Sequence, residues 1–492
     1  VSAPFLWLVL PVIVALTTLL LRYQRVLVTV IAVGAALFLA WAAWQLPIDQ
    51  PLELGPLTLK LSDTLTVLGR NFTLADSERP FLALMYFGTA CWLWGAYFAR
   101  PGHLFVPISL AVVPLLIATL AVEPFLYAAL MIEITALLLI PVLVPVGGSP
   151  GRGVFRFLAF QTLGMPFILF TGWLLAGAEA SPGDLDLVLR AGLLLALGFA
   201  FLLAIFPFHT WVPMLGEEAH PYVAAFVFLF LPGVISIFAL GFLDRYAWLR
   251  ESAAVYDVLR VLGALMIVVG GLWAAVQSHL GRLLGFIALC EIGFSLLAIS
   301  VRPPLGVQLF FLQALPRAVA LPLLGLALSD VRQLFDGSLW LETLQGQGRR
   351  YPLLVGALLL GVFSLAGLPL LAAFPMRLAL SEALFSLQPA AALLALLGSL
   401  GLVVAALRIL RLAFSPLPAE QPSRSLSPGL QVDPLIGAPA NASKSSRAHP
   451  RISTHWLVYA LGVALLFAIG LFPAWFSSLL ADLPAMFVQI GS

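Results

Sequence analysis

The chain has 492 residues, of which 62% are hydrophobic and only 10% are charged, with a formal net charge of +2. Soluble globular chains carry ~25% charged residues, so a soluble enzyme is excluded, and the near-neutral balance gives no electrostatic footprint for nucleic acid. A mean hydropathy of +1.06 also excludes a disordered or solvated chain.

A helix needs ~20 mostly apolar residues to cross a bilayer. The sequence predicts an all-α polytopic membrane protein with about 14 such runs. Residues 1–102 hold three, at 3–21, 25–46 and 79–99. The first has no basic segment before it, so a true span is expected rather than a signal peptide. Residues 51–62 alternate apolar and polar around Gly55-Pro56, which predicts a short β-hairpin on the outer face. Residues 103–242 hold runs at 103–121, 123–145, 154–176, 188–208 and 221–242. Residues 258–414 hold runs at 258–277, 283–301, 304–328, 351–387 and 390–414. Residues 415–453 are rich in Pro and Ser and are expected to be a cytoplasmic linker. Residues 454–492 carry a last helix at 454–481. Continuous apolar runs do not fit a β-barrel, whose strands alternate over ~10 residues.

Loop charge gives the orientation. With both termini outside, the inner loops hold fifteen Lys and Arg and the outer loops eight. Both termini are therefore expected on the outside, in a prokaryotic plasma membrane. The two cysteines, Cys91 and Cys290, sit in apolar runs and build neither a disulfide framework nor a thiolate metal site.

Ionisable side chains at membrane depth cost several kcal/mol, so they are candidates for function. Glu133 lies near the middle of the fifth run, Glu291 in the tenth, Arg317 in the eleventh, and Arg377 in the second half of the twelfth. Proline and glycine add a second signal. The end of the seventh run, IFPFHTWVPMLGEEAHPY, carries Pro207 and Pro213 around His209. The twelfth, SLAGLPLLAAFPMR, carries Gly367, Pro369 and Pro375. Paired interrupted helices point to an ion path between inverted repeats, because broken backbone survives at depth only where it is buried or lines a cavity. Spans four to eight and nine to thirteen then form two inverted five-helix repeats. That frame matches Glu133 with Glu291, and one break with the other.

These stretches resemble a known family. PFHTWVPMLGEEAHPYVAAF, QSHLGRLLGFIALCEIGFSLL, LQALPRAVALPLLGLALS and SLAGLPLLAAFPMRLAL are similar, in that order, to the motifs of antiporter-like membrane subunits of NADH–quinone oxidoreductase (complex I). That family includes multisubunit cation/proton antiporters and membrane-bound hydrogenases. The resemblance covers about 79–415. It implies that Glu133 is the fifth-helix glutamate of a proton path. It also implies that the family's lysines fall on Leu202, Pro232, Arg317 and Arg377. The chain's only lysines, Lys60 and Lys444, lie in loops, so no lysine carries protons inside the membrane. Arginine stays charged and acts only as a fixed electrostatic element. His209 titrates near neutral pH in water and is a relay candidate or a hydrogen-bonding plug for the break. Glu217, Glu218 and His220 lie at the inner mouth of that break, as a proton entry or a solvated loop.

The expected function is that of a membrane-arm subunit of a redox-driven, proton-translocating complex, with proton conduction or electrostatic coupling in this chain. The alternative is a degenerate scaffold subunit of such a complex, or of a related ion or inorganic-carbon transport assembly. The expected partners are other membrane subunits and the lipid bilayer, with no nucleic acid. No cofactor is expected in this chain: there is no Walker, Rossmann or metal motif, and the six histidines lie mostly at helix ends, which disfavours haem.

Overall fold

The computed structural model describes residues 2–54, 57–144, 147–180, 185–416 and 455–491. The expected linker at 415–453 lies outside the described residues from 417 on, as does the Gly55-Pro56 turn. A hydrocarbon core offers no water to backbone groups, so an apolar run must close its hydrogen bonds within itself as a helix. The helices are α1 (Leu10–Leu20), α2 (Arg25–Gln45), α3 (Arg79–Ala99), α4 (Phe105–Ala121), α5 (Ala128–Leu143), α6 (Arg152–Ala180), α7 (Leu185–Leu202), α8 (Trp211–Glu218) and α9 (Pro221–Arg245). They continue with α10 (Ala247–Arg250), α11 (Ala253–Val276), α12 (Leu280–Ser300), α13 (Leu305–Leu312), α14 (Ala314–Leu334), α15 (Pro352–Ala366), α16 (Phe374–Leu387), α17 (Pro389–Phe414), α18 (Trp456–Leu471) and the short α19 (Pro473–Ser477). Several begin with proline in the first turn, α3, α9, α15, α16 and α17 among them. The missing N–H costs nothing there, because the first turn has no acceptor for it.

All fourteen apolar runs carry helix. Among the described residues nine helices are long and apolar enough to cross a membrane, ten if the bent pair Trp456–Leu471 and Pro473–Met486 is one span. Three shorter apolar helices, Phe5–Leu20, Phe105–Ala121 and Pro352–Ala366, lie alongside them. Breaks or bends divide four of the runs, each beside a proline: Pro207, Pro316, Pro369 and Pro473.

Two sets of loops gather at opposite ends of the bundle. At one end Ser2 bridges Ser62. There β1 (Pro51–Leu54) pairs antiparallel with β2 (Leu57–Lys60), Leu52 opposite Leu59. Beside it, β3 (Thr64–Val67), β4 (Arg70–Thr73) and β5 (Val122–Glu123) form a three-stranded sheet. Its β3–β4 hairpin went unpredicted because its turn is Leu68-Gly69. Both residues have positive φ (51° and 75°), a two-residue turn usually made by Asn-Gly or Asp-Gly. Asp244, at the end of α9, accepts from the backbone N–H groups of Val488, Gln489 and Ile490 at this same end. At the other end the 279 and 340 segments meet in a backbone bridge, Arg282 pairs with Glu217, and Arg408 donates to the carbonyls of Ala275 and Gln277. The chain passes between these ends along its apolar helices.

The centre is α12, buried along its whole length, packed on α8, α9 and α11. Beyond Arg282 in its first turn it is apolar all round apart from Glu291 and its hydroxyls, as an interior helix must be. α11 and α17 cross at glycine. A Cβ on Gly271 would lie 2.0 Å from the Gly398 carbonyl oxygen, and one on Gly401 would lie 2.2 Å from that of Gly271. Small residues that let backbones approach are how membrane helices gain packing, since lipid competes for apolar contact.

Candidate functional site

The second break builds the most charged interior site. α15 ends on Gly367 (φ +80°), and the chain runs irregularly through Pro369 and Leu370 (φ 71°) to α16, with Pro375 in its first turn. A left-handed residue suits glycine, which has no Cβ to clash. Here space matters too, because a Cβ on Gly367 would meet Arg377 Cγ at 3.1 Å. Arg377 turns inward. Its Nη2 donates to Glu291 Oε1 and lies 3.4 Å from the Leu365 carbonyl, and its guanidinium carbon sits 3.1 Å from the Phe294 ring centre. The broken helix leaves carbonyls without N–H partners, and Arg377 serves one of them.

Arg317 closes the cluster from α14. Its Nε donates to Glu291 Oε2 at 2.6 Å, Nη1 to Ser295 Oγ at 2.6 Å, and Nη2 to the Glu291 carbonyl at 2.7 Å and Gln313 Oε1 at 3.0 Å. Gln313 sits in a third break, between α13 and α14, that sequence reading missed. Pro316 lacks the N–H that the Leu312 carbonyl would accept, so the helix is interrupted there. Gln313 Oε1 also faces Arg377 Nη1 at 3.4 Å. Glu291, Arg317 and Arg377 are 4%, 9% and 8% exposed. Two guanidinium groups and one carboxylate leave this buried cluster with a formal charge of +1. Arg377 Nε is buried without a partner, as is Ser364 Oγ near the end of α15.

The first half differs. Glu133 on α5 accepts from Thr162 Oγ1 of α6 at 2.7 Å, and its other oxygen is buried without a partner. No basic side chain pairs with it among the described residues. The first break runs from Leu203 to Pro207, with Ala204 at φ 53°. Pro207 precedes the short turn Phe208–Thr210, and Pro213 lies in the first turn of α8. Leu202, at the lysine position that the resemblance implies, is 2% exposed and fills the space a side chain on Gly164 would take. Its carbonyl accepts from Gln161 Nε2 at 3.1 Å. The two breaks thus share one device: a side chain serves a carbonyl at the end of the upstream half-helix, Gln161 in one and Arg377 in the other. His209 stacks on Phe206, ring centres 5.4 Å apart, and its Nδ1 is buried without a partner. Pro232, at the other implied lysine position, is buried in α9.

The structure brings Glu291, Arg317 and Arg377 together. It leaves Glu133 and His209 outside that cluster. Glu217, Glu218 and His220, expected at the mouth of the first break, are tied down as caps and pairs. Glu218 accepts from the N–H groups of Gly153 and Val154 at the start of α6, as acidic side chains do at helix N-termini. Glu217 pairs with Arg282 at 2.6 Å. His220 Nδ1 accepts from Tyr222 N–H and caps α9. Burial, and then Arg332, push the His220 imidazole down to about 3.

One buried polar group was missed. Asp330, near the end of α14, lies 2.8 Å from His455 Nδ1 and accepts from the Tyr459 hydroxyl. The sequence signal was the i, i+4 spacing of His455 and Tyr459, which puts both on one face of α18.

The family model described as NADH:quinone oxidoreductase/Mrp antiporter, transmembrane, matches residues 185–403, the stretch from α7 to α17 that holds these three breaks and the charged cluster. Among curated relatives, the NAD(P)H-quinone oxidoreductase chain 4-3 of a Nostoc species is 31% identical over 46% of this chain and 42% of its own length. The NADH-quinone oxidoreductase subunit N of Chloroflexus aggregans is 30% identical over 53% of this chain and 54% of its own. The chain spans about half the length of the curated relatives it matches. Two solved structures share the fold throughout. A chain of the archaeal membrane-bound sulfane sulfur reductase is 18% identical, with a TM-score of 0.78 over 100% of this chain and 98% of that one. A chain of the Mrp complex from a Dietzia species is also 18% identical, with a TM-score of 0.76 over 99% and 97%. The fold is that of a polytopic antiporter-like membrane subunit.

Proposed function

We propose that this chain is a membrane-arm subunit of a multisubunit, redox-driven or antiporter-type complex, and that it couples to proton movement electrostatically through its second half. The observation that carries this reading is the buried Glu291–Arg317–Arg377 cluster, which ties α12, α14 and the broken α15–α16 helix into one charged unit. Arginine holds its proton at any physiological pH, so the cluster's arginines set a fixed field. At an effective dielectric near 20, two unit charges ~4 Å apart interact by ~4 kcal/mol. A proton arriving on Glu291 or on a water nearby therefore feels a large and directional potential. The first half has Glu133 without a cationic partner and Leu202 packed against Gly164, which supports the second reading of a scaffold subunit.

The deciding measurement is the proton-to-electron stoichiometry of the reconstituted complex. It compares wild type with Arg377→Leu and Glu133→Gln, with assembly checked by native gel. Under the coupling reading Arg377→Leu lowers the stoichiometry while assembly stays intact. Unchanged stoichiometry in both assembled variants refutes coupling and leaves the scaffold reading. The bias of loop charge supports a reading with both termini outside a prokaryotic plasma membrane.

A further inference from the structure

Away from the charged cluster, at the arginine-rich end of the bundle, the α1–α2 and α3–α4 turns face each other across a pocket. Arg22, Arg25, Arg100 and His103 line it, with Thr29 and Tyr97 among its walls. His103 stacks on Tyr23, ring centres 5.3 Å apart, and so fastens one turn to the other. No acidic residue lines the pocket, and no carboxylate pairs with these three arginines among the described residues. Arg22 donates only to the neighbouring Tyr23 hydroxyl, at 3.2 Å. The N-termini of α2 and α4 both end here without a side-chain cap, so their first N–H groups add partial positive charge. The C-terminal ends of α1 and α3 offset that in part, but three full charges remain.

Arg100 itself carries a cost. It terminates α3 in the left-handed conformation (φ 52°, ψ 53°), a position where glycine is the ordinary choice. Strain of this kind concentrates at ligand clamps and functional sites. Next to the pocket the helix surface is apolar and open. Leu20 is 84% exposed, Val26 62% and Val30 63%. Tyr23, Trp94 and Tyr97 are also exposed, and aromatic residues of this type settle at the level of lipid headgroups.

We infer that this pocket binds the phosphodiester headgroup of an anionic membrane lipid, with the acyl chains lying along Leu20, Val26 and Val30. Charge gives the headgroup, since basic pockets between helix ends select anionic lipids and arginine grips phosphate with two parallel bonds. The open apolar strip alongside gives the source: a free phosphate has no use for it. The site lies outside the breaks and does not depend on the proposed coupling function.

The experiment is native mass spectrometry of the purified full chain in detergent, offered phosphatidylglycerol, phosphatidylcholine or inorganic phosphate. The test pair is Arg25→Gln/Arg100→Gln, and the control, with the same charge change, is Arg349→Gln/Arg350→Gln. Wild type and control should retain phosphatidylglycerol at least tenfold over phosphatidylcholine, and the test pair should lose that preference. Equal retention in test and control pairs overturns the inference. So does equal retention of phosphatidylcholine, or competition by inorganic phosphate at the lipid's own concentration. Cross-linking of Arg100 to an acidic partner subunit with no lipid preference overturns it as well. If the glutamine pair fails to fold, Arg25→Lys/Arg100→Lys keeps the charge and loses the two-pronged geometry. Its retention should fall severalfold and decline further with salt, whereas full, salt-independent retention overturns the inference.

Discussion

Removing Glu291 should damage the fold far more than removing Arg377, although the two side chains touch. Glu291→Ala leaves two buried guanidinium groups without their carboxylate. Arg317 keeps Ser295 Oγ, Gln313 Oε1 and the residue 291 carbonyl, while Arg377 keeps the Phe294 ring face and hydrogen-bond contacts near 3.4 Å. Breaking a buried pair from one side costs ~3–5 kcal/mol because a charge is stranded. With two charges stranded, the upper end is expected. Arg377→Leu does the reverse. It removes the surplus charge, leaves Glu291 paired with Arg317 at 2.6 Å, and puts an apolar group against Phe294. Its cost should stay within ~1 kcal/mol, since replacing buried charge by apolar volume is often neutral. The difference of ~4 kcal/mol is about 700-fold in an equilibrium constant. Equilibrium unfolding of the purified chain in mixed micelles, titrated with SDS, reads it directly. Equal destabilisation by the two substitutions would refute the reasoning. So would a Glu291→Ala chain that unfolds with wild type.

Four further outcomes are expected. His220 is held neutral by burial, with its pKa down at about 3, while the unfolded imidazole titrates near ~6.5. Between those values the unfolded state binds more protons, so stability falls as pH falls through ~6.5 toward 3, and His220→Asn, which keeps a capping acceptor, should flatten that slope in pH-dependent unfolding. Glu218→Ala should cost ~1 kcal/mol by uncapping α6, measured in the same titration, with no change in assembly on native gels. Gly271→Ala should separate α11 from α17, because its new methyl meets the Gly398 carbonyl, and should lower thermal stability by more than Gly356→Ala, which meets nothing. For topology, Leu68→Cys at the exposed β3–β4 turn should react with an impermeant thiol reagent from outside intact cells and Ser338→Cys only after permeabilisation; the opposite pattern would invert the orientation.

Composition and pattern alone determined that the chain lives in lipid, where its helices run, and where two of them break. The reason is local: hydrocarbon forces every apolar run into a helix, and the two breaks fall beside Pro207 and beside Gly367 and Pro369, where proline withholds an N–H and glycine takes a left-handed turn. Glu133, Glu291, Arg317 and Arg377 stood out for an equally local reason, the cost of a charge at depth. What those charges do together was not legible, since residues 291, 317 and 377 lie on three separate helices and only packing sets their distances. The Gln161 bond to the Leu202 carbonyl and the Asp330–His455–Tyr459 group were hidden for the same reason. Each joins polar atoms distant in sequence, and each is favoured only because tertiary burial removes the competing water. The fates of Glu217, Glu218 and His220 turn on this too: in sequence they read as a proton entry or a solvated loop, and the neighbouring helix ends that pack against them make Glu218 and His220 caps and pair Glu217 with Arg282.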